Sequence, residues 1–366
     1  MKKFFAIPLL LACLCVSQAA VLKVASNGTQ AYTDITDAIA ASSSGDTILV
    51  MAGGYTGFTV PHRLVIIGSG TGTGIGEGSL VNGLVSVEEA ADSTELRSLW
   101  IVANVASGSV DSLATVVRIH SGADKVFIWR CLIENYATAG GAGFVFLGES
   151  TNTEISQCVF WSSVDLDGTG QKGILQRGMS SMTLVSTAII NVEDPIVKYG
   201  SNAGASATVS HCLFTARNSN IYPCQTDGTA ILENCVFFIN SGAISYTGGA
   251  GVTYSYCAYS AGEAAPPGAT HVECDSTSFL NMNVENFRSA DYHLAPGSVL
   301  EDAGNPGSPF DLNGSSADIG LFGGQHPYVE DGVPDYPFAV QVEVPYSAPL
   351  NGTMRIWGRG RVGPGN

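Results

Sequence analysis

Residues 126–135 read VFIWRCLIEN, and the chain repeats that phrase several times. Cys131 is its marker. Cys158 sits in TEISQCVFWS (153–162), Cys212 in ATVSHCLFTA (207–216), Cys235 in AILENCVFFI (230–239) and Cys257 in VTYSYCAYS (252–260). Thr187 holds the same place in TLVSTAIIN (183–191), and Trp100 holds it in LRSLWIVAN (96–104). From Trp100 to Cys257 the marker steps by 31, 27, 29, 25, 23 and 22 residues. Self-similarity at a period of roughly 20–50 residues is the mark of a solenoid. Around the marker, Ile231, Glu233, Cys235 and Phe237 alternate with Leu232, Asn234, Val236 and Phe238. Period two is that of a strand, although Val236 and Phe238 leave the outer face partly apolar. The seven markers are therefore expected to stack as one column. Ile128, Ile155, Leu184 and Val209, each three before its marker, are expected on the opposite face of the same strand.

Outward from the markers, each later repeat carries another strand ahead of the marker strand. These are ATVVRIHSG, GAGFVFLGE, KGILQRGMS, DPIVKYGSN, SNIYPCQTD and GAISYTGGA. Two strands and a short third one make a coil. Asn104, Asn135 and Asn191 each follow a marker by four, and Asn suits left-handed turns and ladders between coils. The glycine-rich GSGTGTGIGEG (68–78) has no βαβ unit around it, so it reads as a loop excursion and not a dinucleotide site. Nearer the start, Val21 to Val24, Thr47 to Met51 and Leu64 to Ile67 read as strands. Residues 34–42 read as a helix with Ile35, Ala38 and Ile39 on one face and Asp34 or Thr33 as cap.

The run from Tyr32 to Tyr55, Y-x-x-I-x-x-A-I-x-x-x-x-x-G-D-T-I-x-V-x-x-G-x-Y, resembles the opening of exported right-handed parallel β-helix proteins of the pectate-lyase-like superfamily. Residues 292–324 resemble the closing coil of such proteins, with Val299 where proline is common and no arginine between Gly314 and Asp318. Asn234 to Phe237 is similar to repeats of polymorphic outer-membrane-type surface proteins. The resemblance implies an all-β, right-handed parallel β-helix solenoid with an N-terminal helical cap, and it speaks for fold and not for activity.

Composition fits this reading. Of 366 residues, 45% are hydrophobic, 13% charged and 44 are glycine, which many tight turns require. Lys plus Arg total 16 against 32 Asp plus Glu, a net charge of −16 that disfavours nucleic acid and anionic membranes. Met1 to Ala20 reads as a targeting segment: Lys2 and Lys3, an apolar run from Phe4 to Val16, then Ser17-Gln18-Ala19. Direct cleavage and secretion are expected, and a lipid anchor at Cys13, within Leu10-Leu11-Ala12-Cys13, is the alternative. The apolar run is too short for a transmembrane segment. The expected organisation is 1–19 signal peptide, 20–324 β-helix, and 325–366 a proline-rich linker with a small C-terminal β hairpin module. That module carries Arg355, Arg359 and Arg361, and either caps the last coil or retains the protein at a surface. Seven cysteines remain after cleavage. Five share one repeat position and read as a buried stack. Cys224 and Cys274 lie off it and are the better pair for a disulfide.

Lyases of this fold imply Ca2+ held by clustered carboxylates with an Arg or Lys base, and hydrolases imply paired aspartates. Asp165 and Asp167, in Asp165-Leu166-Asp167-Gly168-Thr169-Gly170, are the best pair for Ca2+ or for catalysis. Lys172, Arg177 and Lys198 are the candidate bases. Glu193 and Asp194 read as surface charge, and His211 as an outward strand position. A weakly basic, aromatic strip of Arg118, His120, Arg177, Lys198 and Tyr222 is the candidate binding surface for an anionic or neutral glycan. The function expected is that of a secreted or surface β-helix protein, monomeric and non-catalytic, binding glycan or another cell-surface partner. The alternative is a carbohydrate-active enzyme, a lyase or hydrolase of acidic polysaccharide.

Overall fold

Each turn of the chain lays down up to three short strands, and strands of successive turns pair in parallel. The computed structural model describes residues 19–72, 77–103, 115–136, 143–162, 172–199, 204–217, 220–225, 228–246, 251–333, 338–343, 354 and 356–361, and of 198–199, 338–343 and 359–361 the backbone alone. The result is a parallel β-solenoid of about eight turns with three faces. The first face holds ten strands, from Val21–Val24 to Val252–Ser255, stacked in chain order. The second runs from Trp100–Ala103 to Val272–Cys274, and the third includes Thr115–Ile119, Gly143–Gly148, Lys172–Arg177 and Asp194–Tyr199. One long strand, Ser79–Val87, leads into both: Leu80 to Asn82 pair with the second face and Val85 to Val87 with the third, and Gly53–Val60 of the preceding turn pairs along its other side.

Like stacks on like, because parallel in-register pairing puts equivalent side chains about 4.8 Å apart. The inward column of the first face runs through Ile66, Leu96, Ile128, Ile155 and Leu184, all fully buried. That of the second runs through Ile133, Phe160, Ile189, Phe214 and Phe237. Val117, Val145, Ile174 and Ile196 fill the third. The markers from Cys131 to Cys257 form the expected column, since Leu132, Val159, Ala188, Leu213, Val236 and Ala258, each one residue on, pair in sequence. Each thiol reaches back one coil: Cys158 Sγ lies 3.4 Å from the Ile128 carbonyl, Cys257 Sγ 3.5 Å from that of Leu232. Trp100 departs from the expectation. Leu132 pairs with Trp100, so Leu99 is the member of the column and Trp100 points outward.

The stretch around each marker is two strands and not one. Between them Ser98, Arg130, Gln157, Ser186, His211, Asn234 and Tyr256 all adopt left-handed backbone, with φ from 44° to 55°. A left-handed residue turns the chain and resets the alternation. Ile128, Ile155, Leu184 and Val209 therefore face the same interior as the markers, not the opposite side. His211, expected outward, is a buried corner residue. Of the three asparagines expected at left-handed turns, Asn191 is left-handed and its Nδ2 donates to the Ser162 carbonyl at 3.3 Å, Asn135 is instead a buried strand residue, and Asn104 lies outside the described residues. The corners give a direct test. Ser186 has φ 44° and a buried hydroxyl without a hydrogen-bond partner among the described residues. Ser186→Gly is expected to unfold at higher urea concentration, and Ser186→Val to lose about 1–2 kcal/mol, because a branched side chain resists this conformation.

The second face is apolar on both sides, which explains Val236 and Phe238. Outside it, Leu132, Val159, Leu213, Val236 and Phe238 pack against Phe279, Val284, Tyr292, Leu300, Leu321 and Tyr328. Residues 292–324, read as a closing coil, thus lie along the flank of the stack. Cys224 belongs to the interior core and Cys274 to this outer cluster. The wall between the two clusters separates them, and neither is in a disulfide.

From there the chain runs back along the corner column as a strap. Asn305 N donates to Asn234 Oδ1 at 2.8 Å, and Gly320 N to the Asn234 carbonyl at 2.9 Å. Gln157 Nε2 donates to the Pro327 carbonyl, Arg130 donates to that of Val333 at 3.2 Å, and Thr71 N donates to that of Asp331 at 2.7 Å. Two glycines permit the close approach. At Gly324 (φ 76°) a Cβ would stand 2.7 Å from His211 Nε2, and at Gly332 (φ 56°) it would stand 2.2 Å from the Arg130 carbonyl. A helix spans Ile35–Ala41, its N-terminus capped by Asp34, with Ile35, Ala38 and Ile39 in the interior core. Phe338–Glu343 pairs antiparallel with Trp357–Arg361.

Candidate functional site

On the first face the outward positions lie two and four residues before each marker. Pairing aligns Glu95, Phe127 and Glu154 in one column, and Arg97, Trp129 and Ser156 in the next. These six, from three successive coils, floor a cavity of about 300 Å3, and His326 from the strap closes one side. Neighbouring coils are about 4.8 Å apart, so the two glutamates stand roughly 9.6 Å apart at the backbone with Phe127 between them. Arg97 is paired with Glu95. Its guanidinium also lies 4.9 Å from the Trp129 ring centre, and that of Arg130 lies 4.7 Å from it. Trp129 Nε1 and Arg130 Nε both donate to Gln157 Oε1, the latter at 2.8 Å. Trp129 is thereby fixed as a wall. Glu154 carries no ion pair among the described residues, and its carboxylate faces the cavity.

Across the strap lies a second cavity of about 390 Å3, lined by Phe287, Arg288, Tyr292, Phe322, Tyr328 and Asp331 among others. Its polar groups are already engaged. Arg288 stands 4.4 Å over the Trp100 ring and donates to the Gly72 carbonyl at 2.9 Å. Asp291 accepts from His293 at 2.8 Å, and that bond holds its carboxyl below the usual range. The first cavity keeps a free carboxylate and an uncommitted ring, and a ligand site needs such groups.

The neighbours among solved structures are right-handed parallel β-helix proteins. One is a pectate lyase, 12% identical, covering 85% of this chain and 98% of its own, with a TM-score of 0.46. A pectin methylesterase from Erwinia chrysanthemi is 13% identical over 76% of this chain and 98% of its own, with a TM-score of 0.41. A pectin methylesterase from Aspergillus niger is 17% identical over 75% and 89%, with a TM-score of 0.38. No protein-family model matches the sequence, and no curated protein matches it. Likenesses this distant carry nothing about activity; the strand pairing itself defines the solenoid.

The β-helix places the residues singled out from sequence as follows. Asp165 and Asp167 lie outside the described residues. Lys172 is paired with Asp194 at 3.2 Å. Asp194 is buried and not surface charge; Gln225 Nε2 also donates to it at 2.6 Å, and burial raises its pKa against the opposing pull of Lys172. On the third face Arg118 pairs with Phe146. Phe146 stacks with Leu175 and Val197 in a small outer cluster. Arg177, exposed, pairs with Gly148 and Tyr199, two residues further along the strand. Lys198 pairs with Gln176, and its side chain lies outside the described residues. His120 follows the strand and bonds Ser86 Oγ at 3.1 Å, while Tyr222 N donates to the Glu193 carbonyl at 2.9 Å. The five do not share one column. Among the described residues, no three His, Cys, Asp or Glu are placed to hold a metal, and no helix is long and apolar enough to cross a membrane.

Sequence reading missed Glu95, Arg97, Phe127, Trp129 and Glu154. Their signal was partial: two and four residues before Cys131 stand Trp129 and Phe127, and four before Cys158 stands Glu154, whereas Glu95 and Arg97 fall at those offsets only when counted from Leu99 and not from Trp100. His326 had no such signal, since only the path of the strap brings it there.

Proposed function

We propose that the chain is an exported, monomeric β-helix protein that binds a glycan in the first-face cleft. The observation that carries this is a cavity combining an uncommitted ring, Phe127, with an unpaired carboxylate, Glu154, beside a fixed Trp129 wall. A sugar ring presents an apolar face and a rim of hydroxyls, and these groups complement both. The pectate lyase and pectin methylesterases above are enzymes of polysaccharide by name, which agrees with the reading without supporting it. The export segment, the helix at Ile35–Ala41 as a cap on the first coil and the C-terminal strand pair as a separate module belong to the same proposal.

Phe127→Ala is expected to reduce retention on an immobilised glycan by at least about tenfold, as truncation of an aromatic anchor costs about 2 kcal/mol or more. Far-ultraviolet circular dichroism should stay unchanged, since Phe127 is only half-buried. Unchanged retention would remove the cleft from the account. The two glutamates flanking Phe127 favour a second reading, hydrolysis by paired carboxylates. Release of reducing ends by the wild type, abolished in Glu154→Gln while binding persists, would put the enzyme first.

A further inference from the structure

The outward columns of the first face also constrain the charge of the ligand. From Glu95 to Ser255 they hold one cation, Arg97, and three carboxylates, Glu95, Glu154 and Glu233. Arg97 is spent on Glu95. Glu233 is held by Asn305 Nδ2 at 2.6 Å and Ser308 Oγ at 2.8 Å. Past the cleft, Glu154 is followed in its column by Thr183 and Thr208, both exposed, and then by the exposed Ile231, and Ser156 is followed by Val185 and Ser210. The cleft thus opens onto a track of hydroxyls with no cation on it.

We infer that this face takes a neutral hexose polymer, an inference that rests on the cleft being the glycan site. A polyuronate carries one carboxylate per sugar, and apart from Arg97, already paired with Glu95, and His326 at the side of the cleft, each would meet the unpaired Glu154 or an uncharged side chain, on a chain of net charge −16. Like charges at contact distance repel, least screened where solvent is partly excluded. A polyamine finds the reverse shortage: one free carboxylate for many ammonium groups. A neutral polymer fits both features. Its ring packs on Phe127, its hydroxyls donate to Glu154, and further hydroxyls exchange hydrogen bonds with Thr183 and Thr208 along the stack. The polymer then runs parallel to the axis of the solenoid.

The test uses the full chain in affinity electrophoresis at low and moderate salt. The probes are a soluble mixed-linkage glucan, a galactomannan, a linear galactan, polygalacturonate and chitosan. Wild type and the variants Glu154→Gln and Phe127→Ala are compared. The expected result is retention by a neutral polymer that is insensitive to salt and lost in Phe127→Ala. Polygalacturonate should bind at least about tenfold more weakly. Glu154→Gln should weaken the neutral polymer by about tenfold, because a hydrogen bond to a charged group becomes one to a neutral amide, and should strengthen polygalacturonate. If polygalacturonate or chitosan is held more tightly than every neutral polymer, and Phe127→Ala abolishes it, the cleft stands and the neutral class is wrong. If no polymer's retention depends on Phe127, the cleft reading itself fails.

Discussion

Phe237→Ala is expected to destabilise the last coils by about 3–5 kcal/mol, the range for emptying an aromatic site in a packed core. Phe237 is fully buried, stacks on Phe214 at 5.5 Å between ring centres, and meets Tyr246 and Tyr254 edge-on at 5.7 and 5.9 Å. Four rings share the space, so no single neighbour can close the cavity left behind. In a solenoid each coil contacts only its neighbours, so the loss should be local. Amide hydrogen exchange should quicken across residues 229–260 and hold steady in the coils before Ile133. A uniform change along the chain, or a loss below about 1 kcal/mol in urea titration, would contradict the packing described.

The second large effect is a pH dependence centred on His211. This corner residue is buried beneath Gly324, with Asn234 Nδ2 3.3 Å from its Nε2 and no hydrogen-bond partner at Nδ1 among the described residues. Burial lowers its pKa to about 4, against a smaller upward pull from Glu233. In the unfolded chain it titrates near about 6.5. Above that pH the ring is neutral in both states and costs nothing. As pH falls from about 6.5 to about 4, the unfolded chain takes up a proton that the folded one refuses, and stability falls by about 3 kcal/mol in total. Below that, both states carry the proton and the loss stops growing. His211→Asn removes the titration, and asparagine tolerates the left-handed corner as Asn234 does. Urea titrations of wild type and variant at pH 7 and pH 4 should differ by about this amount, other acid-sensitive groups cancelling between them. Parallel pH profiles would mean that His211 is not buried as described.

What sequence reading could and could not reach follows from the same geometry. The cysteine column was legible because parallel stacking repeats one environment, and Cys131, Cys158, Cys212, Cys235 and Cys257 answer it with one residue type. Trp100 was placed one residue off because Asn104 echoes Asn135 at the same distance from it, while the register is set by Leu99. The corners were not legible. Ser98, Arg130, Gln157, Ser186, His211, Asn234 and Tyr256 share a conformation and no chemistry, and none is the glycine that usually announces left-handed backbone. Missing the corner meant missing the change of face, so Ile128 and Cys131 were assigned to opposite sides, and the outward pair at Phe127 and Trp129 went unread as a surface. The strap was beyond reach for another reason: its seat on Gln157 and Arg130 joins residues some 170 and 203 positions apart.

Where a sugar sits is measured directly by a crystal structure of the chain with a neutral hexasaccharide. One sugar ring is expected against Phe127, with hydroxyls on Glu154 and the remaining rings running towards Thr183 and Thr208. A hexasaccharide bound on the third face by Arg177, or in the cavity beneath Tyr328, with the first face empty, would contradict it.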